Sequence, residues 1–172
     1  MKLRISTRET IDQFLAHKRL AMVGLSRNPK DFSAALYREL TKRGYEVVPV
    51  NPLATEVQGQ RCFAHVSEIE PRVEAALLMT SPDVTDSVLE DCAQVGVAWL
   101  WMYGVGKHGA ATENAVQFCR QHGIHFVAGE CPFMFLPGNG FHRVHGWVDK
   151  ILGTYPQRTE QPKTEEPNRL AH

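Results

Sequence analysis

Residues 20–30 read LAMVGLSRNPK, an apolar run that ends at Gly24 and passes into a polar segment. A buried parallel strand has this kind of unbroken apolar sequence, and Gly24 permits a sharp turn because it has no Cβ. After it, Ser26, Arg27 and Asn28 offer hydroxyl, guanidinium and amide donors to an anion at the N-terminus of the next helix. The stretch therefore predicts a phosphate-binding turn between a strand and a helix, although an ordinary turn with polar caps fits the same residues.

The residues after this turn complete a strand–helix–strand unit. A helical pattern follows the turn and ends at Gly44, a residue suited to the left-handed position that closes a helix. Tyr45 to Val50 is apolar and β-branched, which predicts the second strand. We expect this strand to stop at Pro49, Asn51 and Pro52, which would form a rigid rim beside the first turn.

The alternation of strands and helices continues along the chain. Ser81 is a candidate N-cap with Pro82 in the first turn of the helix that follows it, and Phe63 to Ile69 is predicted to form a brief helical passage. The remaining predicted elements are strands Ala75 to Met79, Val97 to Met102 and Ile124 to Ala128, and a helix Ala110 to His122. About five apolar strands alternating with helices predict an α/β, Rossmann-like, doubly wound parallel sheet with helices on both faces.

Ligands of such sheets bind beyond the carboxyl ends of the strands, and every predicted strand end in this chain carries turn chemistry. These ends are Gly24 to Asn28, Asn51-Pro52, Thr80-Ser81-Pro82, Tyr103-Gly104 and Glu130-Cys131-Pro132. The first turn reads GLSRNP instead of the GxGxxG fingerprint, the second strand ends in VNP without an acidic residue, and no GxxxxGK[ST] phosphate loop occurs. The sequence therefore predicts a binding cleft, and it disfavours a dinucleotide held by that carboxylate.

Composition excludes several other function classes. Nineteen basic and nineteen acidic residues give no net charge, so no electrostatic footprint for nucleic acid is visible. No apolar run approaches the roughly 20 residues of a membrane span, and the N-terminus lacks a signal peptide's apolar core, so we expect a cytoplasmic protein. The scattered cysteines are expected to be free thiols; they are Cys62, Cys92, Cys119 and Cys131. His122, His125, His142 and His145 have no third ligand at convincing spacing, so no metal site is expected.

Several motifs together resemble the CoA-binding domain family. They are VGLSRNP at 23–29, GYEVVPVNP at 44–52, TSPD at 80–83, Trp101 before a glycine turn, and Cys131 after the last strand. Small stand-alone members of this family are similar in fold to the N-terminal domain of the succinyl-CoA ligase alpha subunit. The resemblance covers roughly Phe14 to Pro132.

The resemblance implies that the chain binds CoA or an acyl-CoA. The positions that match the family's cofactor-binding turns are Gly24, Ser26, Arg27, Asn28, Pro49, Asn51, Pro52, Thr80, Ser81, Pro82, Tyr103, Gly104 and Cys131. The first turn would meet the pyrophosphate and the second would hold the adenosine part. The pantetheine arm would pass between the third turn and Tyr103-Gly104. The family often has a glutamine at the position of Tyr103, whose ring would fill space that a slim amide leaves open.

Two functional hypotheses follow from these residues. The favoured one is a non-catalytic CoA-binding domain, a sensor or an accessory to an acyl-CoA enzyme, because the energy-linked chemistry of the resembling ligase uses a phosphorylated histidine in another domain. The alternative is an enzyme that uses a nicotinamide cofactor or acts on a thioester through Cys131 and Glu130. A structural or interaction module without a small-molecule ligand is a third possibility.

The C-terminal part is predicted to differ from the rest. An apolar stretch over residues 133–152 includes an amphipathic helical pattern, which would cover the sheet or pack on a second copy in a homodimer. Residues 154–172 are polar and proline-containing, and we expect a disordered tail. The predicted organisation is one domain over 1–153 followed by that tail.

Overall fold

The computed structural model of the protein describes residues 6–104 and 109–136, which belong to one compact unit, Met1–Pro137. Its strands are β1 Arg19–Val23, β2 Glu46–Val50, β3 Glu56–Val57, β4 Gln60–Arg61, β5 Ala75–Leu78, β6 Trp99–Met102 and β7 His125–Ala128. Its helices are α1 Arg8–Ala16, α2 Phe32–Lys42, α3 Pro82–Gln94 and α4 Glu113–Gln121, with 3₁₀ turns at Val66–Glu68 and Pro132–Met134. The predicted apolar stretch beyond residue 136 and the predicted tail 154–172 lie outside the described residues.

Five strands form one parallel sheet in the order β2-β1-β5-β6-β7. This confirms the predicted doubly wound sheet. The strand order reverses between β1 and β5, because the chain builds β2 on one side of β1 and every later strand of the sheet on the other. Such a reversal is the topological switch point at which open α/β sheets bind their ligands.

Helices cover both faces of the sheet, and each face has its own apolar core. On one face α1 and α2 contribute residues such as Phe14 and Leu36, which pack with the fully buried Trp101. On the other face α3 and α4 contribute Leu89 and Val116. The apolar runs predicted as strands are therefore buried on both sides, as expected for central parallel strands.

Local capping fixes where the helices begin. The Thr7 side chain accepts a hydrogen bond from the Thr10 N–H at the start of α1, and Thr112 does the same for the Ala115 N–H in α4. The predicted helix from Ala110 therefore begins three residues later than expected, because Thr112 is its cap. Pro82 occupies the first turn of α3 as predicted, but the Ser81 side chain makes no capping bond.

The segment after β2 is where the prediction fails most. Residues 56–61 form a small hairpin that was not predicted, with Val57 opposite Gln60. Its two turn residues, Gln58 and Gly59, both have positive φ, 53° and 75°, as two-residue hairpin turns often require. The predicted helical passage from Phe63 to Ile69 is reduced to the 3₁₀ turn Val66–Glu68.

Within the described ranges no helix is long and apolar enough to cross a membrane, and no group of three or more His, Cys, Asp or Glu side chains is arranged to hold a metal ion.

Candidate functional site

The first turn lies where β1, β2 and β5 end together. The Gly24 N–H donates to the Val50 carbonyl at 2.9 Å, and the Met79 N–H donates to the Val23 carbonyl at 2.8 Å. Gly24 has φ +85°, and a Cβ placed on it would lie 2.8 Å from the Met79 carbonyl oxygen. Glycine is therefore required here both by the backbone conformation and by the close approach of β5.

The loop between β1 and α2 is held by an internal carboxylate. Asp31 accepts hydrogen bonds from the Ser26 hydroxyl at 2.5 Å and from the Asn28 side-chain amide at 2.8 Å. Ser26 also accepts from the Asn28 N–H, and its own N–H donates to the buried Ser33 hydroxyl. Two of the three donors predicted to meet an anion are thus engaged within the loop. They fix its shape ahead of α2.

Arg27 is the exception in this loop. Its side chain is exposed, and no hydrogen bond or ion pair engages it among the described residues. It lines a shallow recess beside Pro52 and Leu53, which also contains the carboxylates of Glu56 and Glu68. The guanidinium is therefore the donor of the first turn that remains available to a bound anion.

Asn51 ties the ends of β1 and β2 together. Its side-chain amide donates to the Leu25 carbonyl at 3.0 Å, and its side-chain oxygen accepts from the Leu53 N–H at 2.9 Å. Pro49 does not lie at the rim as predicted, because β2 continues through it and its side chain is buried. A proline is tolerated there because β2 is an edge strand, and the Pro49 carbonyl accepts the Phe63 N–H on the outer side.

A cleft of about 440 Å³ opens at the switch point. It is lined mainly by apolar side chains from the ends of β1, β2 and β5, from the 63–66 segment and from α3. The lining residues are Val23, Gly24, Val50, Asn51, Pro52, Leu53, Ala64, His65, Val66, Met79, Thr80, Ser81, Val84, Ser87, Val88 and Asp91. Its size falls within the range of small-molecule sites, roughly 300–1,000 Å³.

Buried hydroxyls hold the third strand end in place. The Thr80 and Thr85 hydroxyls are 2.8 Å apart, and Thr85 donates to the Ser81 carbonyl, also at 2.8 Å. Because Thr85 is fully buried and Thr80 nearly so, this pair anchors the first turn of α3 against the end of β5. Pro82 begins α3 but is not among the cleft-lining residues.

The ends of β6 and β7 form an aromatic cluster next to the cleft edge. The Tyr103 ring stacks on Phe32 with centroids 4.7 Å apart, and Phe133 meets Phe32 edge-on at 5.4 Å. Burial raises the pKa of Tyr103 to about 12, helped by the nearby Cys131 thiol. Gly104 continues this strand end and its carbonyl accepts the Ala111 N–H.

Cys131 begins the 3₁₀ turn after β7 and is partly buried. Burial raises the pKa of its thiol, the N–H groups of Phe133 and Met134 oppose this, and Glu130 adds to the rise. A raised pKa favours the protonated sulfur near neutral pH, whereas the thiolate is the nucleophilic form of cysteine. The backbone carbonyl of Glu130 accepts a hydrogen bond from the Trp101 indole N–H at 2.9 Å.

The structure thus brings part of the predicted site to one cleft and leaves the rest along the same sheet edge. Gly24, Asn51, Pro52, Thr80 and Ser81 line the cleft. Arg27 lies in the neighbouring recess, and the Tyr103 and Cys131 positions follow the next two strands.

The wall of the cleft formed by residues 63–66 and by one face of α3 was not predicted from the sequence. Val84 is 46% exposed, and both Val84 and Val88 line the cleft. The signal available was their spacing with Asp91, which places all three on one helical face.

A parallel five-stranded sheet with helices on both faces and a cleft at its switch point is the architecture of Rossmann-like α/β domains. The sequence profile of the CoA binding domain family matches residues 18–137. The chain belongs to this family, which confirms the resemblance drawn from its motifs.

Individual relatives agree with this assignment. The chain is 26% identical over 128 residues to the acetate–CoA ligase (ADP-forming) II subunit alpha of Pyrococcus furiosus, a match covering 70% of this chain and 28% of that subunit. It is 25% identical to the uncharacterized protein YneT of Bacillus subtilis, covering 66% of this chain and 82% of YneT. A hypothetical protein from Pyrococcus horikoshii has a similar structure, with a TM-score of 0.70 and 26% identity, covering 78% of this chain and 93% of that one. The chain therefore spans little more than a quarter of the ligase subunit but nearly all of the small structural relative.

Proposed function

We propose that this protein binds CoA or an acyl-CoA at the carboxyl edge of its sheet and catalyses no reaction on it. The observation that carries the proposal is the apolar cleft at the switch point, beside a glycine whose conformation and surroundings exclude a side chain. Membership of the CoA binding domain family supports the choice of ligand.

The pyrophosphate is assigned to the loop after β1. Two features favour an anion there: the exposed Arg27 guanidinium, and the N-terminus of α2, an eleven-residue helix whose dipole attracts negative charge. Asp31, at the N-cap of that helix, is itself an anion, but its oxygens are taken up by Ser26 and Asn28. In this proposal Ser26 and Asn28 shape the loop, and Arg27 makes the side-chain contact with phosphate.

The adenosine part is assigned to the cleft and the pantetheine arm to the remaining strand ends. Thr80, Tyr103 and Cys131 follow β5, β6 and β7, which are neighbours in the sheet. Parallel strands lie about 4.8 Å apart, so an extended arm that leaves the cleft near Thr80 would pass Tyr103 and reach Cys131 about 10 Å away. The stacked rings of Phe32 and Tyr103 narrow this path, which favours a slender chain over a bulky acyl group near them.

The proposal of binding without turnover rests on the groups along this path. The Cys131 thiol has a raised pKa. Asn51 lies at the position where a dinucleotide-binding domain carries the carboxylate that binds the ribose. Its side chain is already hydrogen-bonded to the Leu25 carbonyl and the Leu53 N–H. The acetate–CoA ligase relatives are several times longer than the matched region. We propose that the chain acts as the CoA-holding part of acyl-CoA metabolism, as a sensor or beside a separate enzyme, and a homodimer remains a prediction.

Isothermal titration of the purified, ligand-stripped protein with CoA, acetyl-CoA and NADH tests the proposal. We expect saturable CoA binding that Arg27→Glu weakens at least tenfold, because the substitution replaces a charge-assisted hydrogen bond with repulsion. Arg38→Glu is the matched control, since Arg38 is an exposed arginine on α2 that does not line the cleft or the recess. Preference for NADH, or equal effects of the two substitutions, would contradict the proposed site.

A further inference from the structure

One face of α3 forms a wall of the cleft that ends in a carboxylate. Val84, Ser87, Val88 and Asp91 line the cleft at spacings of three and four residues, which puts them on a single helical face. The Ser87 hydroxyl donates to the Val84 carbonyl and so is satisfied within the helix. The wall is therefore largely apolar until it reaches Asp91, about two and a half helical turns from the start of α3.

Only one of the two oxygens of the Asp91 carboxylate is hydrogen-bonded to the described part of the protein. Its Oδ2 accepts the Val66 N–H at 2.6 Å, and among the described residues no donor reaches Oδ1. Asp91 is half-buried and lines the cleft, in which apolar side chains predominate. The cleft thus ends in one committed and one open hydrogen-bond acceptor.

The mouth of the same cleft exposes apolar side chains. Leu53 is 79% exposed and Val84 is 46% exposed, and within the described residues only Met134 joins them as an exposed large apolar side chain. Two of these three flank the cleft, and an apolar surface gathered at a concave site indicates a ligand that covers it. A flat ring with a hydrogen-bond donor on its edge fits an apolar slot that ends in an acceptor.

We infer that Asp91 reads the purine of the ligand, its open oxygen accepting a hydrogen bond from the exocyclic amine of adenine. The inference rests on the proposed function and adds a specificity-determining residue to it. Adenine presents one amine beside an unprotonated ring nitrogen, which matches one open acceptor. Hypoxanthine presents a carbonyl oxygen at that position, which repels the carboxylate. Guanine also carries this carbonyl, and its two adjacent donors would need both carboxylate oxygens, one of which is held by Val66.

Competition against bound CoA with ADP and with IDP, its hypoxanthine counterpart, tests the inference. The wild-type protein is expected to prefer ADP by tenfold or more, as a charge-assisted hydrogen bond gained and a repulsion avoided would give. In Asp91→Asn the side-chain oxygen still accepts the hydrogen bond from the Val66 N–H, and the amide nitrogen donates to the hypoxanthine carbonyl of IDP. The ratio of the ADP and IDP affinities should therefore fall to near unity or invert. Glu90→Gln makes the same charge change on the exposed side of α3 and should leave the ratio unchanged.

Equal affinities of wild-type protein for ADP and IDP would overturn the inference, and so would an Asp91→Asn variant that keeps the wild-type ratio. A thermal melt shows whether that variant folds; should it not, the wild-type ratio alone decides. A wild-type protein that binds CoA but does not prefer ADP over IDP would refute only the role of Asp91. Absence of CoA binding to the wild-type protein would refute the proposed function as well.

Discussion

Replacing Gly24 with alanine measures how closely β1 and β5 approach at the switch point. The matched perturbation is Gly96→Ala, because Gly96 after α3 has nearly the same φ, +82° against +85°. A Cβ on Gly96 would meet nothing within 4 Å, whereas one on Gly24 would lie 2.8 Å from the Met79 carbonyl oxygen. The pair therefore separates the cost of the left-handed backbone from the cost of the contact.

The expected magnitudes follow from these geometries. Alanine in the left-handed region costs about 1–2 kcal/mol, reduced by about 0.4–1 kcal/mol because alanine restricts the unfolded chain. Gly96→Ala should therefore lower the free energy of unfolding by about 1 kcal/mol. Gly24→Ala carries the same cost and also forces backbone atoms of the β5 end to move, for which overpacking costs of about 1–3 kcal/mol are typical. Its total loss should be about 2–4 kcal/mol.

Urea unfolding of the two variants and the wild type provides the assay, with free energies taken by linear extrapolation. Gly24→Ala should also weaken CoA binding, since the β5 end that must move lines the cleft, and Gly96→Ala should not. Equal destabilisation of the two variants, within about 0.5 kcal/mol, would refute the close approach of the Met79 carbonyl as the reason for glycine at position 24.

Two further predictions concern buried groups. Thr85→Val removes the hydroxyl that donates to the Ser81 carbonyl and pairs with Thr80. The free energy of unfolding in urea should therefore fall by about 1–3 kcal/mol. An unchanged free energy of unfolding would show that the hydroxyl pair does not anchor α3. Burial raises the pKa of Cys92 and of Cys119 from 9.0 to about 12, so above pH 9 the unfolded chain binds fewer protons than the folded one and stability falls as the pH rises towards 12. The loss of unfolding free energy is at most about 1.4 kcal/mol per pH unit for each thiol. The unfolding free energy of C92A/C119A should therefore decline less steeply than that of the wild type between pH 9 and 11. An identical decline in both proteins would contradict these pKa shifts.

The strands were predictable because each is an apolar run long enough to be buried on both faces. Leu20 to Val23 and Ala75 to Leu78 illustrate this, since every residue in them is buried. Gly24 was equally readable, because a glycine directly after such a run marks a sharp turn. These signals are local in sequence, and they were sufficient to predict the sheet and the edge at which the cleft opens.

The use of the polar side chains was not predictable in the same way. Ser26 and Asn28 read as anion donors, yet the loop folds Asp31 back onto both. The sequence alone does not distinguish a donor that points into solvent from one that is hydrogen-bonded to a residue five positions later. That distinction depends on the backbone path of the loop, which tertiary packing decides.

The wall of the cleft could not be predicted from the sequence for a related reason. Asp91 reads as an ordinary exposed helical residue, and its role depends on the Val66 N–H lying 2.6 Å away across 25 positions of sequence. The segment that carries Val66 was itself predicted as helical, whereas Phe63 continues alongside β2 through the bridge between Val50 and Phe63. Long-range contacts of this kind leave no periodic trace in a single sequence.

The central claim is that CoA binds at the carboxyl edge of the sheet, at the switch point. The most direct measurement is a titration of the ¹⁵N-labelled full chain with CoA, followed residue by residue through its amide NMR signals. We expect the largest shifts at Gly24, Ala64 and Thr80, with little change at the opposite edge of the sheet, where Trp99 and His125 begin β6 and β7. Shifts concentrated at that opposite edge, or none at saturating CoA, would contradict it.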